Sequence, residues 1–96
     1  MTDEQKNKYI DIMTENLTML RAKLDLTQEE LANVVGLSRY TVISIEKRQR
    51  RMTWNTFLSM LLIFSKNEDT SKIIEVIGLG SSELLEFLNI DDLTKK

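Results

Sequence analysis

The 96-residue chain contains no cysteine, no histidine and no proline, and only three glycines. Without cysteine there can be no disulfide, no thiolate metal ligand and no thiol nucleophile. Without histidine the commonest general base and the commonest metal ligand are both missing. Carboxylate and serine chemistry remain formally open, but the carboxylate pairs Glu29/Glu30 and Asp91/Asp92 have no partnering histidine, and they read as caps and solvated faces. No glycine-rich phosphate loop and no metal-ligand cluster is present, so no cofactor is expected and the chain does not read as an enzyme. No long apolar run occurs either. The most apolar stretch, Met60 to Phe64, is far too short to span a bilayer, and the first eight residues are polar and charged, unlike a signal peptide. A cytoplasmic protein with no membrane partner is expected.

What is present favours helices. Leu, Ile, Met, Glu and Lys are plentiful, 42% of residues are hydrophobic and 29% are charged. That supports one all-α domain with a single core. The net charge of −2 hides a division along the chain. From Arg39 to Arg51 there are five bases (Arg39, Lys47, Arg48, Arg50, Arg51) against Glu46 alone, a net +4. From Lys66 to Leu93 two bases stand against seven acids, a net −5. A basic middle of this kind is an electrostatic footprint for nucleic acid that the overall charge conceals.

Helix signals follow in order. Thr2 with Gln5 forms a capping-box pattern, and Ile10, Met13, Leu17, Leu20 and Leu24 make a helical stripe. The first helix is either continuous from about Asp3 or broken near Asp11 to Thr14. Thr27 with Glu30 opens a short second helix whose Leu31, Val34 and Val35 are expected to face the core. Gly36 stops it, because glycine takes the left-handed terminal conformation without a Cβ penalty. Ser38 caps a third helix anchored by Val42 and Ile45, leaving Ser38, Arg39, Tyr40, Thr41, Ile43 and Ser44 to face outward. After the basic "KRQRRM" connection, Thr53 caps a fourth helix that is apolar nearly all round. Asp69 or Thr70 begins a fifth, stopped by Gly78, and Ser81 or Ser82 caps a sixth. Thr94 to Lys96 are expected to fray.

Two helices of about two turns each, joined by a four-residue corner, carry the signature of a helix-turn-helix. Ala32 lies where the two helices would cross, Gly36 makes the corner and Leu37 plugs it into the core. The stretch "LTQEELANVVGLSRYTVISIEK" resembles the Cro/repressor-like (XRE-type) helix-turn-helix family. Thr27-Gln28, Leu31-Ala32, Gly36, Ser38-Arg39, Val42, Ile45 and Glu46 stand where that family has them, and the resemblance spans about Asn16 to Phe64.

The resemblance implies a lambda-repressor-like all-α fold, with a helix-turn-helix core at 14–66 and additional C-terminal helices at 67–93 within one domain of 1–96. It also implies double-stranded DNA as the partner. By the same likeness Gln28 clamps a phosphate and braces the recognition helix. Ser38, Arg39, Tyr40 and Ser44 match base- or phosphate-contacting positions, and Thr41 belongs with them on the outward face. Arg39 is suited to read guanine O6 and N7. Lys47, Arg48, Arg50 and Arg51 would hold flanking phosphates. Ile43 either touches a thymine methyl or leans back on the loop. Arg21 is left out of the site, because the family pairs an arginine there with the glutamate at Glu46. Two positions depart from the family pattern. Arg48 stands where Gly is common, so either it holds a strained backbone or the loop takes another shape. Met52 stands where Pro is common.

The function implied is a sequence-specific transcriptional regulator, a repressor by promoter occupancy, with the third helix in the major groove. The surplus apolar surface of the fourth helix, with the fifth and sixth, is expected to form a homodimer interface. The alternative is an antitoxin-like or other protein-interaction module whose acidic C-terminal helices bind a partner protein.

Overall fold

Local caps start most of the helices, and they are where the composition places them. In the computed structural model, which describes residues 1–89, the described residues form six helices and no strand. These are α1 (Asp3–Lys23), α2 (Gln28–Val35), α3 (Arg39–Glu46), α4 (Trp54–Lys66), α5 (Glu68–Val76) and α6 (Ser82–Leu88). The fold is the all-α helix-turn-helix class that the sequence implied. Expected features at Ile90 to Lys96, including the Asp91/Asp92 pair and the fraying end, lie outside the described residues.

Thr2/Gln5 and Thr27/Glu30 both form reciprocal capping boxes. Ser38, Thr53 and Ser81 accept the N–H of the residue three later, which satisfies one orphan donor in each first turn. α1 runs unbroken, resolving the alternative of a break near Asp11. Asp25, at φ 54°, turns the chain after it; aspartate tolerates that left-handed region better than most residues. Gly36 closes α2 at φ 75°. A Cβ there would meet nothing within 4 Å, so glycine serves the backbone angle and not a tight space.

The expected start of α5 at Asp69 or Thr70 is corrected to Glu68. Asn67 ends α4 and begins α5, in an extended conformation, and its side chain bonds back to the Ile63 carbonyl (2.8 Å) instead of capping. Thr70 is fully buried, and its hydroxyl donates to the Phe64 carbonyl at 2.7 Å.

α1 is the spine of the core. Its Met13, Leu17 and Leu20 meet Leu31 and Ala32 of α2, Val42 and Ile45 of α3, and Phe57, Met60 and Phe64 of α4. Met52, standing in the position where the family favours proline, is buried in the same cluster. Each large side chain so buried contributes about 1.5–3 kcal/mol. That matters most for α2 and α3, which at eight residues each are too short to persist alone. Val34 is a second correction: it is 60% exposed. On a two-turn helix centred on Leu31, Ala32 and Val35, residue 34 falls more than a quarter-turn off the core-facing stripe.

The C-terminal helices are tied to the start of α1. The Tyr9 hydroxyl, on a buried ring, donates to Glu83 Oε2 at 2.7 Å and lies 2.9 Å from the Ser81 hydroxyl. Gln5 Nε2 donates to the other oxygen of Glu83 at 2.6 Å. Trp54 stacks on Phe57 at 4.8 Å and meets Phe87 edge-on at 6.2 Å, with the Lys6 ammonium over both rings. Ile74, Leu79 and Leu84 extend the core beneath α5 and α6.

Candidate nucleic-acid interface

The helix-turn-helix is held by one carboxylate. Glu46, the last residue of α3, accepts Arg21 Nε at 2.9 Å on one oxygen and Arg21 Nη2 at 3.0 Å on the other. Thr18 Oγ1 (3.0 Å) and Gln28 Nε2 (3.2 Å) donate to the same carboxylate. Arg21 also donates to the Leu26 carbonyl at 2.9 Å. The network therefore fastens α1, the α1–α2 turn, the first residue of α2 and the last of α3 to each other. The two charged side chains are only 17% and 7% exposed. Burial pushes the Glu46 carboxyl up, but the hydrogen bonds from Arg21, Gln28 and Thr18, with the guanidinium charge, outweigh it and hold the group below its ordinary pKa. The Arg21 guanidinium is raised above its usual value, first by its bond to Glu46, against desolvation. Arg21 is thus a structural partner, as the family likeness implied.

Around this frame the expected site residues take different positions. Ser38 is exposed; its hydroxyl accepts the Thr41 N–H at 3.1 Å and meets the Thr41 hydroxyl at 2.9 Å. Arg39 and Tyr40, the first two residues of α3, are exposed, Tyr40 by 69%. Arg39 lines a shallow hollow with Gln28, Thr27, Glu29 and Arg21, so the first turns of α2 and α3 share one surface. Gln28 itself is half-buried and directed at Glu46, which makes the bracing role visible in its hydrogen bond.

Thr41 is half-buried, and Arg50 Nη1 reaches back to its hydroxyl at 3.2 Å. Lys47 and Arg48 are exposed, and among the described residues neither is in an ion pair. Arg48 sits at φ 60°, so of the two readings of its departure from glycine the strained backbone is the one observed.

Ser44 is corrected: it is 4% exposed and does not face outward. Its arc on α3 is turned away from Val42 and Ile45, yet the chain folds back over it. The N–H groups of Gln49 and Arg50 both donate to the Ser44 carbonyl, at 2.9 and 3.3 Å. The basic loop thereby returns onto the end of α3, with Arg50 reaching Thr41, and Arg39, Tyr40 and Lys47 remain exposed.

Arg51 differs again. Its Nη1 pairs with Asp11 at 2.9 Å and its Nη2 donates to the Asn7 carbonyl at 3.2 Å. Asp11, Thr14 and Glu15 of α1 line one cleft with Arg48 to Arg51. Reading by residue type missed this α1 contribution. The available signal was the polar stripe Asn7, Asp11, Glu15 and Thr18, spaced three or four apart.

Over 75 residues the chain is 38% identical to Control protein C.SmaI of Serratia marcescens, an alignment covering 76% of this chain and 84% of that protein. The chain belongs to the Cro/repressor-like (XRE-type) helix-turn-helix family. As an XRE-type protein it is a DNA-binding transcriptional regulator. No family model matches the chain, and no solved structure does. Among the described residues of this XRE-type chain, no helix is long and apolar enough to cross a membrane.

Proposed function

We infer that this regulator binds double-stranded DNA sequence-specifically, in the cytoplasm, and represses by occupying promoters. α3 enters the major groove, Arg39 and Tyr40 meet base edges or phosphates, and Ser38, Thr41 and Gln28 frame the entry of the helix. Lys47, Arg48 and Arg50 hold phosphates on the flank, and Arg51 is the fourth candidate for such a contact, already paired with Asp11 in the free chain. Ser44 has no direct part, because it is covered. The observation that carries this reading is the exposed basic face of α3 and its following loop, fixed to the rest of the fold through Glu46.

One such module buries limited surface on DNA, and tight binding calls for two copies on adjacent half-sites. Leu62 (59% exposed), Val76 (85%) and Leu85 (58%) on α4, α5 and α6 support self-association through these helices. The same apolar side chains are what a second reading, a partner-protein module, would use. A chain that purifies as a stable homodimer favours the first reading, and co-purification with a different protein favours the second.

A mobility shift on a duplex selected from a random pool tests the base-reading role. Arg39→Ala should abolish the preference for that duplex over a scrambled one. A variant that keeps the full preference contradicts the assignment of Arg39.

A further inference from the structure

The contact between Arg51 and α1 has a consequence for DNA affinity. Arg51 belongs to the basic loop, but its guanidinium already has a carboxylate partner, Asp11, at 2.9 Å. Both side chains are about half exposed, 52% and 58%, so the pair lies at the surface where another anion can reach it. A second carboxylate, Glu15, lies one helical turn further along α1 in the same cleft. A carboxylate on a guanidinium presents the acceptor chemistry of a phosphate on a guanidinium. A DNA backbone approaching this loop therefore meets an arginine that is occupied, beside two like charges.

We propose that Asp11 limits DNA affinity by occupying Arg51 in place of a backbone phosphate. It is a positioning residue that acts through Arg51, and the idea rests on the DNA-binding reading above. The Asn7 carbonyl, which accepts Nη2 of the same guanidinium at 3.2 Å, helps the pair persist on bound DNA. While it persists, it cancels one phosphate contact, and that contact carries no sequence information. The effect falls equally on every sequence and leaves the recognition face of α3 untouched. Glu15 adds a repulsion of the same sign without holding the arginine.

Asp11→Asn keeps the size and an acceptor oxygen but removes the charge. Binding is measured by fluorescence anisotropy on two duplexes, one of random sequence and one recovered by selection, across a salt series. Each phosphate contact steepens the plot of log affinity against log salt by about 0.9. D11N should therefore bind both duplexes about tenfold more tightly at about 50 mM salt, falling to about threefold at about 200 mM, with the slope steeper by about one contact. Asp69→Asn, an equal charge change on α5, should leave the slope alone. Arg51→Gln should remove the gain when combined with D11N.

A D11N variant that binds more weakly, or with an unchanged slope, overturns the proposal. So does a gain that D69N reproduces, or one that survives R51Q. If neither the wild-type chain nor D11N binds either duplex, the DNA-binding reading falls and takes the proposal with it. If the wild type binds and D11N shows no gain, only the proposal falls.

Discussion

Replacing Arg21 with methionine isolates what the Glu46 network contributes. Methionine retains much of the apolar stem but removes three hydrogen bonds: two to Glu46, at 2.9 and 3.0 Å, and one to the Leu26 carbonyl at 2.9 Å. Glu46 is left as a carboxylate only 7% exposed, held by Thr18 and Gln28. Breaking one partner of a buried pair typically costs about 3–5 kcal/mol. The two surviving donors, and water entering where Arg21 was 17% exposed, place R21M at the lower end, about 3 kcal/mol at neutral pH. A domain of this size has about 5–15 kcal/mol in total, so the variant should still fold. Urea unfolding is followed through the fluorescence of Trp54, the single tryptophan, which stacks on Phe57 in the core region. The double variant R21M/E46Q should recover about 1–2 kcal/mol relative to R21M, because the orphaned charge is gone. A loss below about 1 kcal/mol, with no recovery in the double variant, would show that the pair behaves as an ordinary surface ion pair and that Glu46 is not the fastening point.

Because Glu46 is held below its ordinary pKa when folded, its contribution is present above the unfolded value and is lost as pH falls through the folded one. The urea midpoint of the wild type should drop as pH falls below the ordinary carboxylate range, and E46Q should flatten that drop, with a residual slope from Glu30, whose carboxyl the Thr27 backbone N–H also lowers. Gly36→Ala should cost about 1 kcal/mol, from the backbone alone since no atom obstructs the new Cβ, and Gly36→Asn should cost less; thermal melts decide both. Arg48→Gly relieves a left-handed residue while loosening the unfolded chain, so its stability should stay within about 0.5 kcal/mol of wild type while DNA binding weakens and its salt slope falls by about 0.9. Tyr9→Phe should cost about 1 kcal/mol and alter the Trp54 emission, because α6 loses the Tyr9 bonds to Ser81 and Glu83 and keeps only the Gln5 bond to Glu83 at the start of α1.

The helix starts were readable because a cap is a local device. Thr27 and Glu30 satisfy each other within one turn, and Gly36 needs only its own φ, so neither depends on distant chain. The Arg21–Glu46 pair came from family likeness, and 25 residues separate the partners, so nothing in spacing alone would have joined them. Ser44 shows where periodicity stops. Its helical arc points away from the Val42 and Ile45 side, yet it is buried, and Gln49 and Arg50 return to bond its carbonyl along a path that no period encodes. The polar stripe on α1 marked Asp11 as an exposed position but not its partner, which lies 40 residues away and reaches α1 only through the folded loop. The Tyr9–Ser81–Glu83 link spans more than 70 residues between two polar side chains and a tyrosine that carry no motif.

Selection of bound duplexes from a random-sequence pool tests the central claim most directly. The account predicts enrichment of one short sequence repeated as two symmetric half-sites about 10 base pairs, or one helical turn, apart. Recovery of duplexes with no shared sequence would contradict it, since binding would then rest on phosphate contacts alone and α3 would read nothing.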